Sequence, residues 1–206
     1  MKIKQMPSGP LMANTYLVWD ENSGRGFILD PGGYDPQMVQ TVKEEGITVE
    51  EIILTHGHAD HMGGAEAYLD EYPQAELTAA MLEKPLLADP QLNQSPYMLG
   101  RNVVLFPDRT VADGDTMEIG GMKLEFRMTP GHTPGGMCIV IGPVCFSGDT
   151  LFRASIGRTD FPGGSYEDLK KSVHEKLFTL PDKTRVFPGH MNETTIGWEK
   201  ENNPFV

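Results

Sequence analysis

Histidine and aspartate side chains crowd into one short stretch of this sequence, "ILTHGHADHMGG" at residues 53–64. His56 and His58 are two positions apart, so their rings lie on the same side of an extended segment. Asp60 and His61 follow at a predicted helix start, where their side chains can diverge from the first pair. Imidazole and carboxylate groups without a thiolate suit zinc, iron or manganese. Because neighbouring glycines let the backbone turn tightly, the stretch predicts a metal site rather than scattered hydrogen-bonded histidines.

Three further candidate ligands follow predicted strands later in the chain: His132 in "PGHTPGG", Asp149 in "CFSGDT" and His190 in "VFPGH". Strand ends that meet at one edge of a sheet can gather distant residues into one pocket. With the four local groups they make seven, too many for one ion that keeps an open catalytic position. The set fits two divalent ions that share a bridging carboxylate. The remaining histidine, His174, lies beside Val173 in an amphipathic pattern, which favours a solvated or packing role.

The candidate ligands must be positioned by the strands that the sequence predicts. Runs rich in β-branched and aromatic residues predict strands within the following segments: "TYLVWD" (15–20), "GFILDPGG" (26–33), "EEIILTH" (50–56), "NVVLF" (102–106), "TMEIGGMKLEFRMTP" (116–130), "MCIVIG" (137–142), "VCFSGD" (144–149) and "TRVFPGH" (184–190). Candidate ligands therefore stand at the ends of several predicted strands.

Helical patterns separate these strands, at residues 35–46, 64–72 and 165–181. In the first helix, Asp35 can cap the start, Pro36 suits the first turn and Gly46 ends the pattern. In the third, Ser165 and Asp168 form a predicted capping box. These signals give the helices defined starts close to the predicted strands.

Two parts of the chain share a weak internal pattern. The segments "NTYLVWDENSGRGFILDPGG" (14–33) and "GMCIVIGPVCFSGDT" (136–150) each read as a hairpin that ends in an aspartate near a glycine. Each is followed by a helix and then by a strand that leads to a histidine. Two related halves, each a sheet covered by helices, predict a mixed α/β (α+β) protein, a four-layer sandwich formed by a single domain over residues 1–206.

The segment "MLEKPLLADPQLNQSPYMLGRN" (81–102) is irregular and rich in proline, leucine and methionine. It fits a surface loop or short helices near a cleft, and a connecting loop is favoured over a substrate lid. The two cysteines flank a predicted turn at Gly142 and Pro143, which would place Cys145 opposite residue 140 and Cys138 opposite residue 147. They are interpreted as reduced, buried thiols.

Composition narrows the classes of partner. The formal net charge of −12 repels phosphate backbones, which argues against a nucleic-acid partner. No apolar run approaches the roughly 18 residues of a membrane span. The N-terminal "MKIKQMPSGP" has no apolar signal region. A cytoplasmic protein that acts on a small molecule, without a membrane partner, is expected.

The motifs as a set resemble the metallo-β-lactamase superfamily. "THGHADH" is similar to its T-H-x-H-x-D-H signature, and "PGHTPGG", "FSGDTLF" and "VFPGH" are similar to its later ligand motifs, in the same order. The resemblance runs from about residue 14 to the end of the sequence. It implies an αββα sandwich, which agrees with the two-part pattern described above.

The resemblance also implies a role for each candidate ligand. It assigns His56, His58 and His132 to a first metal, Asp60, His61 and His190 to a second, and Asp149 to the bridge between them. Asp30, in "LDPGG", resembles a buried aspartate of the family that supports this cluster by contacting the ligands instead of the metals. A simple turn residue is the alternative for that position.

Within the superfamily, "GDTLFRASIGRTDFPGGS" and "ETTIGWEKENNPFV" resemble the small glyoxalase II-like (hydroxyacylglutathione hydrolase-like) hydrolases of bacteria. Larger glyoxalase II enzymes carry a C-terminal helical domain that helps to grip glutathione, and this sequence ends before one. They also carry a Gly-Lys-Phe-Tyr type segment, where this chain has "GRTDF". Arg158 is therefore a candidate replacement for that lysine as an anion contact, with a structural ion pair as the alternative. Small relatives usually read "PGHGP", so Met191 and Asn192 reshape the rim beside His190.

The resemblance implies a hydrolase in which Asp60 orients a metal-bridging hydroxide. The leading hypothesis is hydrolysis of a thioester such as S-D-lactoylglutathione, because a thiol with a pKa of about 8.5 leaves without a strong general acid. Two divalent ions are expected, with zinc favoured and iron or manganese as alternatives. The persulfide dioxygenases, which use one iron and O₂ and share a "GRTDF"-like segment, are the runner-up. A lactonase, a β-lactamase and a catalytically silent metal-binding module are further alternatives.

Overall fold

The computed structural model describes all 206 residues and contains two six-stranded sheets. The strands of the first sheet lie side by side in chain order: β1 (Lys2–Ser8), β2 (Ala13–Trp19), β3 (Arg25–Leu29), β4 (Thr48–Ile53), β5 (Glu76–Ala80) and β6 (Arg109–Val111). The first three strands are antiparallel neighbours, whereas β3 to β6 run parallel to one another.

The second sheet is built from the later part of the chain. Its strands are β7 (Thr116–Ile119), β8 (Met122–Met128), β9 (Met137–Ile141), β10 (Val144–Gly148), β13 (Arg185–Pro188) and β14 (Thr194–Thr195). Their spatial order is β14-β13-β10-β9-β8-β7. Between β10 and β13 the chain forms a short antiparallel hairpin of β11 (Leu151–Phe152) and β12 (Ser155–Ile156).

Eight α-helices connect or cover the strands: α1 (Pro36–Glu44), α2 (Ala59–Met62), α3 (Ala65–Glu71), α4 (Lys84–Ala88), α5 (Pro90–Asn93), α6 (Ser95–Leu99), α7 (Tyr166–Ser172) and α8 (Ile196–Asn202). The predicted caps are confirmed. The Asp35 carboxylate accepts a hydrogen bond from Gln37 N at 2.8 Å, and Ser165 Oγ accepts one from Asp168 N at 3.2 Å. Helix α7 continues into a π-helical turn, Val173–Leu177.

Three apolar clusters separate four layers, because alternate residues of each strand face opposite sides of the sheet. Tyr16 and Val18 of β2 point between the sheets, where they meet residues such as Phe146 of β10. Leu17, from the same strand, faces the outer side of the sheet, where it packs in one cluster with Met38 of α1. A third cluster packs α8 and the end of the α7 helix onto the outer face of the second sheet. The predicted αββα sandwich is confirmed.

The two-part pattern in the sequence corresponds to two copies of one topology. Strands β2 and β3 form an antiparallel hairpin, and α1 then leads to β4, which lies parallel to β3. Strands β9 and β10 form the matching hairpin, and α7 leads to β13, which lies parallel to β10. Asp30 and Asp149 follow the second strand of each unit. His56 and His190 follow the third, so equivalent strand ends supply equivalent positions.

The prediction of a strand within "NVVLF" was wrong. Its backbone is bonded to the preceding helices instead of to a sheet, because Val103 N donates to Ser95 Oγ at 2.9 Å and Leu105 N donates to Leu87 O at 3.0 Å. Val103 and Leu105 are nevertheless buried. The apolar residues that resemble a strand are therefore core contacts of an extended connection.

Residues 81–102 form short helices rather than the favoured connecting loop. A 3₁₀ turn, Met81–Glu83, is followed directly by α4, α5 and α6. Asp89 caps α5, since its carboxylate accepts a hydrogen bond from Gln91 N at 2.8 Å. Short helices near a cleft were the other interpretation of this segment, and Met98 of α6 does line the cleft described below.

Both cysteines occupy the predicted register. Cys145 lies opposite Val140, and Cys138 Sγ lies 3.5 Å from Ser147 O. Both thiols are free and buried. None of the helices combines the length and the apolar character that a membrane span requires.

Candidate metal centre

Loops at one edge of the sandwich bring all seven predicted ligands together. These loops adjoin strands of both sheets. Parallel crossover connections direct the ends of such strands to a common edge. The positions are His56 and His58 after β4, Asp60 and His61 on α2, His132 before β9, Asp149 after β10 and His190 after β13. Most of these side chains are buried. That of His190 is the most open, with 23% of its surface exposed.

Apart from a set that joins Asp30 to His56 and His61, the candidate ligand atoms form two neighbouring groups, within each of which they lie no more than 4.8 Å apart. The first group contains His56, His58 and His132, and the second contains Asp60, His61 and His190. In the first, His58 Nδ1 is 2.9 Å from His132 Nε2. In the second, His190 Nε2 is 3.2 Å from Asp60 Oδ2. The two groups have the composition that the family resemblance implies for two metals.

Asp149 lies between the two groups. Its Oδ2 atom is 3.6 Å from His132 Nε2 of the first group and 3.7 Å from His190 Nε2 of the second. Its Oδ1 atom is 3.3 Å from His61 Nε2. One carboxylate therefore reaches both groups, as a bridging ligand must.

Asp30 touches the cluster from the side of the protein interior. Its Oδ2 atom lies 3.1 Å from His61 Nδ1. Thr55 donates to the same carboxylate twice, from its backbone N at 2.7 Å and from its Oγ1 at 2.6 Å. Thr55 Oγ1 in turn lies 3.1 Å from His56 Nδ1. Asp30 thus contacts one histidine directly and a second through Thr55, while also occupying a turn with φ of 49°.

These hydrogen bonds fix which ring nitrogens face the centre of the site. His61 Nδ1 donates to Asp30, so its Nε2 faces the carboxylate of Asp149, at 3.3 Å from Oδ1. Likewise, His132 Nδ1 donates to the backbone O of Arg158 at 2.7 Å, which leaves its Nε2 as an acceptor. His56 Nε2 and Asp149 Oδ1 are buried without any hydrogen-bond partner. Buried acceptors without a donor are costly unless a cation satisfies them, so this donor set fits divalent metal ions.

The charge balance of the site also suits cations. Burial lowers the pKa of His58 to about 3, with a further contribution from the adjacent His132 ring, and burial lowers that of His56 well below its usual value. Both rings are therefore neutral, the form that binds metal. Burial opposes ionisation of Asp149, but the neighbouring His61 holds its pKa below the ordinary range. Burial disfavours the charged form of His61, but the Asp149 and Asp60 carboxylates raise its pKa well above the usual value. The site thus combines the neutral rings of His56 and His58 with ionised carboxylate around His61.

Glu83 is a buried residue that the sequence did not single out. Its Oε2 atom accepts a hydrogen bond from Gly57 N, and its Oε1 atom accepts one from Gly135 N, each at 2.7 Å. Gly57 lies in the first ligand loop and Gly135 in the loop of His132, so one carboxylate ties the two loops together. The only sequence signal is a lone acid in an otherwise apolar segment after a strand.

The loop that carries His190 is held by strand β2. Asn14 Nδ2 donates to Pro188 O and to Met191 O, each at 2.9 Å, and Tyr16 Oη donates to Pro188 O at 2.7 Å. Gly189 is required by close packing, because a Cβ atom there would collide with Asp149 Oδ1 and with the His61 ring. The "PGH" motif thus places the backbone of Gly189 in close contact with the side chains of Asp149 and His61.

A cleft of about 350 Å³ opens onto the candidate ligands. Arg158, the predicted anion contact, lies on its wall, where its guanidinium pairs with Asp160 at 2.7 Å. This geometry matches the ion-pair alternative for that residue. His174, by contrast, is exposed on the π-helical turn outside the cluster, with its ring 5.2 Å from that of Phe178.

Comparison with known proteins agrees with this geometry. Residues 8–190 match the family model of the metallo-β-lactamase superfamily. The chain belongs to this superfamily. Over its full length it is 39% identical to the probable metallo-hydrolase YqgX of Bacillus subtilis, covering 98% of that protein. It is 35% identical to the hydroxyacylglutathione hydrolase GloC of Haemophilus influenzae, again over its full length and 98% of the relative.

Solved structures of the superfamily share the fold over nearly the whole chain. The BLEG-1 B3 metallo-β-lactamase has a TM-score of 0.92 at 36% identity, covering 99% of both chains. TTHA1623, solved in a di-iron-bound form, has a TM-score of 0.84 at 33% identity, covering 98% of this chain and 100% of that one. ETHE1 from Myxococcus xanthus has a TM-score of 0.79 at 31% identity, covering 99% and 84%. Family membership and the clustered ligands together support a metal-dependent hydrolase.

Proposed function

We propose that this protein hydrolyses thioesters at a binuclear metal site, with S-D-lactoylglutathione as the reference substrate. The observation that carries the proposal is the position of Asp149 between two intact ligand groups at the floor of an open cleft. A resemblance to glyoxalase II-like hydrolases and the 35% identity to GloC support the choice of substrate.

The seven candidate ligands would bind two metal ions. His56, His58 and His132 would hold one ion, Asp60, His61 and His190 the other, and Asp149 would bridge them. Divalent ions at these positions would lower the pKa of a water molecule toward about 7 and polarise the substrate carbonyl. Zinc is the proposed metal, because it binds nitrogen and oxygen ligands of this kind. Iron and manganese accept the same ligand set and are the alternatives.

Asp60 is the proposed catalytic residue. Its side chain lines the cleft, and its Oδ2 atom lies 3.2 Å from His190 Nε2 and 3.8 Å from His61 Nε2. Nearby His61 and a hydrogen bond from His190 hold the pKa of Asp60 below its usual value against the effect of burial. An ionised carboxylate in this position can accept a hydrogen bond from the attacking water and orient it.

The composition of the cleft favours a thioester. Apart from the candidate ligands, the only ionisable side chain on its wall is Arg158, whose guanidinium stays protonated and is a poor general acid. An alkoxide or amine leaving group would need a proton donor. A thiolate leaves readily, since its conjugate thiol has a pKa of about 8.5.

Metal loading and thiol release test the proposal together. We expect two metal ions per chain in freshly purified protein and release of free thiol from S-D-lactoylglutathione. His58→Ala should lower the metal content and abolish turnover, whereas His174→Ala, which alters an exposed histidine, should change neither. Unchanged metal content in His58→Ala would refute the ligand assignment. Metal without turnover of any ester, thioester or persulfide would instead indicate a metal-binding module.

A mono-iron persulfide dioxygenase is the second candidate. The "GRTDF" segment at residues 157–161, similar to one in those enzymes, contributes Arg158 and Phe161 to the wall of the cleft. One iron per chain, with oxygen consumption on glutathione persulfide and no thiol release from thioesters, would favour this candidate. Two metals per chain and thioester turnover would favour hydrolysis.

A further inference from the structure

We propose that the cleft binds its thioester through apolar contacts and leaves the charged groups of a thiol such as glutathione unrecognised. Its preferred substrates are then thioesters of uncharged thiols, and Asp160 determines this specificity by occupying Arg158. The inference rests on the proposed thioester hydrolysis and concerns the half of the substrate that departs as thiol.

Apolar side chains dominate the cleft wall beyond the candidate ligands. They come from separate parts of the chain: Leu11, Met98, Phe152, Ile156, Phe161 and Met191. Leu11 and Met191 are about half exposed, at 51% and 57%, although they are large and apolar. Side chains of this kind gathered around a cleft favour an apolar ligand. Methionine and leucine also adapt to varied shapes, so they suit the flexible stem of a thiol.

Arg158 is the single arginine or lysine on this wall, and its guanidinium already pairs with a carboxylate. Its Nε donates to Asp160 Oδ1 and its Nη2 to Asp160 Oδ2, each at 2.7 Å. The guanidinium also lies 4.0 Å from the centre of the Phe161 ring, and the centres of the Phe161 and His58 rings are 5.1 Å apart. The arginine is thus held in a two-pronged ion pair and a stack, with its charge offset by Asp160.

The backbone of Arg158 is fixed as well, because its carbonyl oxygen accepts the hydrogen bond from His132 Nδ1. The side chain therefore cannot move toward a substrate by shifting its segment without disturbing a candidate ligand. A free carboxylate would have to share the guanidinium with Asp160, and its approach to the remaining N–H groups would bring two carboxylates close together. The negative charge of Asp160 therefore weakens the attraction that an unpaired arginine would offer.

Glutathione carries carboxylates at both ends, and the one arginine or lysine on the cleft wall is already paired with Asp160. Desolvating a carboxylate without a partner is unfavourable. The overall charge of −12 adds a repulsive field for an anionic substrate. An uncharged thiol avoids both penalties and retains the apolar contacts, so it binds better for the same acyl group.

Two thioesters with the same acyl group test the inference. S-D-lactoylglutathione carries the charged groups, and S-D-lactoyl-N-acetylcysteamine has a neutral thiol. With the metal-loaded protein and thiol release as the readout, we expect kcat/KM to be about three- to tenfold higher for the neutral thioester, mainly through KM. An equal or higher value for the glutathione thioester would overturn the inference. Absence of thiol release from both would contradict the proposed hydrolysis itself.

Releasing Arg158 should reduce the preference. Asp160→Asn removes the competing charge at an exposed position, and we expect KM for S-D-lactoylglutathione to fall by about two- to fivefold while KM for the neutral thioester stays constant. Glu193→Gln is a matched control, since it breaks the exposed ion pair with Arg185 outside the cleft and should change neither value. An unchanged KM for S-D-lactoylglutathione in Asp160→Asn would show that Asp160 does not determine specificity.

Discussion

The carboxylate of Asp30 lies 3.1 Å from His61 Nδ1 and accepts a hydrogen bond from Thr55 Oγ1, which in turn contacts His56. A single buried acid therefore sets the proton position on two histidines, one in each ligand group. Both rings consequently present Nε2 to the centre of the site. Asp30, which could be interpreted from the sequence as a simple turn residue, therefore influences a histidine of each ligand group.

Asp30→Asn should weaken metal binding without preventing folding. The amide can keep one hydrogen bond to Thr55, but its NH₂ group no longer accepts from His61 Nδ1, so the ring loses its fixed tautomer. Removing such a supporting partner lowers metal affinity by about 10–100-fold, which competition with a chelator measures. Asp70→Asn, at an exposed position, serves as the control. Equal affinity in Asp30→Asn and the wild type would show that Asp30 does not support the ligands.

Glu83→Gln should disturb the relative position of two ligand loops. A glutamine side chain has one oxygen, so either Gly57 N or Gly135 N loses its acceptor and meets an NH₂ group instead. We expect kcat to fall by about tenfold or more with KM nearly unchanged, because small displacements of catalytic groups reduce rate more than binding.

The visible spectrum of the cobalt-substituted protein distinguishes positioning from general destabilisation. An altered spectrum in Glu83→Gln would report changed ligand geometry, which a loss of stability alone does not produce. Glu175→Gln, at an exposed site, should leave both the spectrum and the kinetics unchanged. A wild-type spectrum together with wild-type kcat in Glu83→Gln would contradict the positioning role.

Asp35→Ala should reduce stability while leaving the metal site intact. The substitution removes the acceptor for Gln37 N at the start of α1, and loss of such a cap costs about 1 kcal/mol. For a chain of this size we expect the melting temperature to fall by about 2–4 °C. Asp35→Asn keeps a capping oxygen and should melt close to the wild type. A change in metal content in Asp35→Ala would indicate coupling between α1 and the site.

Glu51 should make the protein less stable as the pH rises. Burial raises its pKa to about 7, although Thr78 donates to its Oε2 at 2.7 Å and Arg109 lies 3.6 Å from its Oε1. An unfolded glutamate has a pKa of about 4.3, so between these values the folded state binds the extra proton. The corresponding stability is present at low pH and is lost as the pH rises through about 7.

Glu51→Gln removes this titration. We expect the difference in urea unfolding free energy between about pH 5 and about pH 8 to become less negative in the variant than in the wild type. Glu118→Gln, at an exposed position, should preserve the wild-type dependence. If Glu51→Gln and the wild type vary equally with pH, Glu51 does not titrate in this range.

Local patterns predicted the strands that carry the candidate ligands, because those strands are apolar, bounded by turn residues and followed by histidine or aspartate. The caps at Asp35 and Ser165 were predictable for the same reason, since a cap depends on residues only two or three positions away. The strand predicted at "NVVLF" failed because alternating burial alone does not show which backbone partner an extended segment will find. Its partners were residues of two helices that precede it in the chain, α4 and α6.

The sequence by itself determined the family, the four-layer fold and the set of seven candidate ligands, because these are written in residue types and in spacings along the chain. Only the tertiary structure decided that Asp149 reaches both groups, that Glu83 ties together two ligand loops and that Asp160 occupies Arg158. Those relationships depend on distances between side chains. In the case of Glu83 they also depend on bonds to backbone amides, which carry no residue identity for a sequence pattern to reveal.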